Sequence, residues 1–98
     1  MILEHAVLPV RPGEEEAFEE AFALAKTIIL GSPGCESLTL SRCLERPHAY
    51  LLLVQWRALE DHMEGFRQSS AYLEWRALLH HFYEPAPVVE HFHLVQSG

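Results

Sequence analysis

The segment Ala49-Tyr50-Leu51-Leu52-Leu53-Val54, running into Gln55-Trp56, is apolar at every position up to Val54. Side chains alternate between the two faces of a strand, so this one needs apolar cover on both sides. A chain of 98 residues with two helical stretches can cover one face of a small sheet. The other face calls for a second copy, and a homodimer is the first expectation.

The remaining pattern supplies the other elements. Met1 to Val10 alternates as a strand, with Ile2, Ala6, Leu8 and Val10 on one side and Leu3, His5 and Val7 on the other. Pro12-Gly13-Glu14-Glu15-Glu16 opens a helix, its carboxylates at the positive end of the backbone dipole. Phe18, Ala21, Phe22, Ala25 and Ile29 form its apolar stripe, and Gly31-Ser32-Pro33-Gly34 ends it. A second strand over Cys35–Glu45 places Leu38, Leu40 and Leu44 on one face, and Arg46-Pro47-His48 turns into the doubly apolar strand. Leu59, Met63 and Phe66 begin a second helix, expected to break near Gly65 to Ser70, where Ser69-Ser70 offers a fresh cap. Tyr72, Trp75, Leu78, Leu79 and Phe82 follow, and the prolines at 85 and 87 precede a last strand over Val88–Val95. The order strand, helix, strand, strand, helix, strand predicts an α+β, ferredoxin-like βαββαβ domain over residues 1–98, with an antiparallel sheet and both helices on one face. Two such sheets packed face to face form a dimeric α+β barrel, sealing either Leu51 and Leu53 or Tyr50, Leu52 and Val54, depending on which set points outward.

Composition excludes several classes. Fourteen acids against seven Lys plus Arg give a formal charge of −7, which repels a phosphate backbone, so nucleic acid is not an expected partner. No stretch reaches the roughly 18 apolar residues of a membrane span, and no export signal is visible at the N-terminus, so a cytoplasmic location and no membrane partner are expected. Cys35 and Cys43, eight residues apart in one extended stretch, lie roughly 26 Å apart and cannot bridge each other. They read as small packing thiols.

Seven histidines are the most unusual feature of the composition. His5, His91 and His93 fall on strands expected to be neighbours, a pattern that could hold a metal. No cysteine or carboxylate stands at recognisable ligand spacing beside them, however, and polar tips lining a wet cleft explain the cluster without a metal. His80-His81 suit the negative end of the second helix. The stripe Tyr72, Trp75, Leu79, Phe82 serves either a core or the wall of a ligand cavity, and Trp56 at the end of a buried strand serves packing. Arg76, one turn from Tyr72, serves an anionic substrate group or a surface ion pair.

Taken together, Val10-Arg11-Pro12-Gly13-Glu14-Glu15-Glu16-Ala17-Phe18, Pro33-Gly34-Cys35, Val54-Gln55-Trp56, Phe66-Arg67-Gln68-Ser69 and Pro87-Val88-Val89-Glu90-His91-Phe92 resemble the antibiotic biosynthesis monooxygenase family of small dimeric α+β barrel proteins. The resemblance implies a cofactor-independent monooxygenase that oxidises a small phenolic or quinol compound with dioxygen, needing only a base, an apolar pocket and an orienting hydrogen bond. It implies a cleft between sheet and helices, with His5 as the base and Trp56, Phe66, Tyr72, Trp75, Arg76 and His91 around a small aromatic or apolar ligand. Neither cofactor nor metal is called for. The haem-degrading branch of the family uses an Asn, a Trp and a His at places that fall here at His5, Phe66 and Arg76, so that triad is not matched. Two alternatives stay open: a non-catalytic dimer that binds a small ligand, and a haem-binding protein lacking the degrading triad.

Overall fold

A computed structural model describes residues 1–98. The chain forms strand β1 (Ile2–Pro9), helix α1 (Glu15–Leu30), strands β2 (Cys35–Arg42) and β3 (Ala49–Trp56), helix α2 (Ser70–Leu79) and strand β4 (Val89–Phe92). A π-helical segment, Asp61–Phe66, precedes α2, and a short 3-10 turn, His80–Phe82, follows it. The sheet is antiparallel, in the order β2-β3-β1-β4. This is the expected ferredoxin-like α+β architecture. No helix is long and apolar enough to cross a membrane.

Local chemistry accounts for the element boundaries. The Gly13 N–H donates to the Glu15 carboxylate at 2.9 Å, tying the turn at Gly13 (φ +92°) to the first turn of α1. Along α1 the buried residues are Phe18, Phe22, Ala25 and Ile29, a single stripe facing the sheet. The break in the second helical region falls where its sequence predicts. Ser69 is extended and its Oγ accepts the Tyr72 N–H at 3.2 Å, restarting the chain as α2.

The register of the sheet decides which side chains enter the core. Tyr50, Leu52, Val54 and Trp56 of β3 point under the helices, with Ala6 and Leu8 of β1. Leu51 and Leu53 therefore take the open face, together with Leu3, His5 and Val7. Trp56, Phe18 and Phe66 are at most 1% exposed, and each such burial contributes about 2 to 3 kcal/mol. Two boundaries differ from expectation. Strand β2 stops at Arg42, leaving Leu44 in the following turn and 90% exposed instead of aligned with Leu38 and Leu40. Strand β4 covers only Val89–Phe92, because it pairs with β1 over Leu3–Ala6 alone, and Leu94 and Val95 lie exposed beyond it.

Candidate active site beneath the helices

A cavity of about 150 Å³ lies between the sheet and the α2 region. Its floor is Ala6, Leu8 and Leu52, its walls include Phe66, Trp75, Tyr83 and Val89, and its polar atoms come from Glu4, His62, Arg67, Tyr72 and His80.

Glu4 is the anomaly of this core. It occupies the inward parity of β1, between Ile2 and Ala6, and is only 5% exposed. A buried carboxylate has to be satisfied by polar partners. Its Oε1 accepts the Trp56 indole N–H at 2.9 Å and stands 3.3 Å from His62 Nε2. The other ring nitrogen of His62, Nδ1, lies 2.7 Å from His91 Nε2. Trp56, Glu4, His62 and His91 thus form one run of close polar contacts, hydrogen-bonded at its two ends and joined in the middle by the 3.3 Å Glu4–His62 approach.

The π segment is what delivers His62 to that chain. The Arg67 N–H donates to the His62 carbonyl at 2.9 Å, closing a turn one residue wider than an α-turn, and both His62 and Phe66 then face the sheet. The His62 ring stacks on the Trp56 indole, with centroids 5.0 Å apart and planes 17° from parallel. Gly34, at φ +86°, packs its backbone against the side chain of Asp61, the first residue of the π segment. Asp61 is in turn held by Arg57 at 2.8 Å.

The environment shifts the titration of these groups. Burial raises the Glu4 pKa from the usual carboxylate range, with the Trp56 hydrogen bond and the charge of Arg67 opposing. Burial, then the neighbouring His91, then Arg67 lower His62 to about 4. His91 is lowered by burial and by Arg67, and His80 by burial, Arg76 and Arg67. Around neutral pH the imidazoles are therefore neutral, and a proton added to the site favours the carboxylate more than it would in water.

The structure distributes the sequence-derived candidates unevenly. Phe66, Tyr72 and Trp75 line the cavity. Trp56 and His91 lie one hydrogen bond behind it, through Glu4 and His62 respectively. His5 does not reach it. The expectation that His5 stands beside the cleft is corrected by the sheet register: Glu4 pairs with His91 and His5 with Glu90, so His5 points to the open face, where its ring packs edge-on against Phe92. The same register separates His5 from His91, and no group of three or more His, Cys, Asp or Glu residues is placed to hold a metal ion. Arg76 is exposed on α2 and takes no part in lining the cavity, whereas Arg67 stands at its mouth with its guanidinium 5.5 Å over the Tyr72 ring. Glu4 and His62, the two groups at the centre of the site, escaped the sequence reading. The available signal was Glu4 itself, a carboxylate at the inward parity of an otherwise apolar strand face, and His62, one turn before Phe66.

Comparison with known proteins places this arrangement in a family. The family model described as antibiotic biosynthesis monooxygenase matches residues 1–78. The sequence is 55% identical to the uncharacterised protein YczJ of Bacillus subtilis (strain 168), over 94% of this chain and 97% of that protein. Among solved structures, a Bordetella bronchiseptica protein provisionally assigned as an antibiotic biosynthesis monooxygenase is 37% identical and superposes with a TM-score of 0.93, over 97% of each chain. A variant of SnoaB, a cofactor-independent oxygenase from Streptomyces nogalater, shares the fold at a TM-score of 0.85 and 18% identity, over 98% of this chain and 94% of its own. A small α+β fold with a part-polar cavity under its helices is the general class, and the chain belongs to the antibiotic biosynthesis monooxygenase family.

Proposed function

We propose that the protein is a cofactor-independent monooxygenase acting on a single-ring dihydroxyaromatic, with Glu4 as the group that receives the substrate proton and His62 as its partner. The observation that carries this reading is the buried Glu4 and His62 pair bordering an otherwise largely apolar cavity. An apolar cavity of about 150 Å³ accommodates one benzene ring, so the size of the space under the helices favours a hydroquinone over a polycyclic substrate. It likewise disfavours a porphyrin, which is several times larger.

The chemistry asks for little more than these residues. Glu4 takes one phenolic proton, and the electron-rich phenolate passes an electron to dioxygen, giving a semiquinone and superoxide. These combine at a ring carbon to form a peroxide. Its O–O bond breaks as the ring C–H electron pair at that carbon forms a carbonyl, the outer oxygen leaves as water with that C–H proton and the proton held by Glu4, and the other oxygen stays on the ring as a hydroxyquinone. Four electrons pass from the ring to dioxygen. Arg67 at the cavity mouth stabilises the phenolate and the developing oxyanion, and apolar walls keep water from competing.

The open face of the sheet supports a homodimer as part of the same proposal. Val7 is 38% and Phe92 48% exposed on it, beside Leu51 and Leu53 and among His5, Thr39, Ser41 and Glu90, and exposed large apolar side chains grouped with polar ones in this way mark an association surface. The two unpaired cysteines fit a reducing, cytoplasmic setting. The functional test is oxygen uptake by the purified protein with single-ring hydroquinones: uptake that is lost in Glu4→Gln is the expected result. A folded protein that consumes no oxygen with any of them overturns the assignment.

A further inference from the structure

We propose that His91 is the exit of a proton relay that runs from the cavity, through Glu4 and His62, to solvent at the edge of the sheet. This inference rests on the proposed monooxygenase reading for its purpose and on the geometry of the site for its path.

The path runs through close contacts between neighbouring side chains. Glu4 borders the cavity, its Oε1 is 3.3 Å from His62 Nε2, and His62 Nδ1 is 2.7 Å from His91 Nε2. His62 is 3% and Glu4 5% exposed, and with substrate filling the cavity neither has a direct path to bulk water. His91 is half-buried and has two surroundings. On one side it meets His62, and on the other it lines an open surface hollow with Ile2, Leu59 and His93. The register that pairs Glu4 with His91 is what puts one ring in both places.

The reaction needs such an exit. A hydroxyquinone is a vinylogous carboxylic acid, and beside Arg67 it ionises, so one proton per turnover has to leave a cavity that the helices cover. Glu4 passes that proton to His62 Nε2 as His62 Nδ1 gives its own to His91 Nε2, and His91 releases its Nδ1 proton to water in the hollow. The charged groups facing the relay favour transfer over storage. Arg67, from the segment before α2, lowers the basicity of both imidazoles, and His62 also feels His91. Neither ring holds an added proton near neutral pH.

The test is His91→Gln, which keeps a hydrogen-bonding side chain at the strand edge but cannot relay a proton, with His91→Ala as a second variant. One readout needs no turnover. Exchange of the His62 ring N–H with solvent, followed by nitrogen-15 NMR, is expected to slow by about tenfold or more in His91→Gln and to recover with added imidazole in His91→Ala. The other is oxygen uptake with hydroquinone, where kcat is expected to fall by about tenfold or more with KM unchanged. Unchanged His62 exchange in both variants overturns the relay. Slowed exchange in a protein that consumes no oxygen upholds the relay and overturns the monooxygenase reading instead.

Discussion

Glu4 Oε1 and His62 Nε2 lie 3.3 Å apart in a space where both residues are at most 5% exposed, although one comes from the first strand and the other from a π-helical segment beyond the third. This pair, and not the histidine next in sequence to Glu4, faces the cavity. His5 and Glu4 are neighbours in the chain and opposites in the sheet.

That opposition separates two substitutions. His62→Gln is expected to lower kcat for hydroquinone oxidation by about a hundredfold, the usual scale for loss of an acid-base partner, and His5→Ala to leave the kcat of the folded protein within about twofold. Steady-state oxygen consumption measures both. Loss of activity in His5→Ala with the fold and assembly intact would return the base to the open face.

Gly34 sets the position of His62 from a distance. Its φ of +86° disfavours any side chain, and a Cβ there would overlap the Asp61 carboxyl at the start of the π segment. Gly34→Ala is expected to cost about 2 to 4 kcal/mol in chemical denaturation and to reduce activity through displacement of His62. Wild-type stability in Gly34→Ala would show that Asp61 moves aside freely.

The lowered histidines make the fold sensitive to acid. A group whose folded pKa lies below its unfolded value contributes stability that is present above the unfolded pKa and is lost as pH falls toward the folded one. For His62 that window runs from about 6.5 down to about 4 and is worth at most about 3 kcal/mol, with His80 and His91 acting in the same direction. Glu4, with its raised pKa, acts oppositely, since its contribution falls as pH rises through the carboxylate range. Thermal melts of the wild type should therefore drop in Tm between pH 6.5 and 4, and the drop should be shallower in His62→Gln. An equal slope in the two proteins would mean that His62 is not held neutral by the fold.

The assembly proposal turns on the outward side of β3. Leu53 lies on the open face next to His5, its partner in the β1 register. Leu53→Asp places a charge in the centre of that face, and sedimentation is expected to show a dimer for the wild type and a folded monomer for the variant. A wild-type monomer at micromolar concentration would remove the dimer.

Much of this protein was legible as a string of residues. The helix stripe Phe18, Phe22, Ala25, Ile29, the restart of the second helix at Ser69 and the order of the elements all depend on contacts within a few positions, and local periodicity reports those directly. Family membership was legible for the same reason, since short junction motifs stay together in the chain. Other features were out of its reach. Which parity of β3 turns inward, whether Glu4 is partnered, and which histidine meets it depend on pairing between β1, β3 and β4 and on the extra residue in the π turn. A shift of one residue in such pairing moves every side chain to the other face. The apolar pattern that determines the fold is therefore local, whereas the juxtaposition of Glu4, His62 and His91 exists only once distant strands have settled their register.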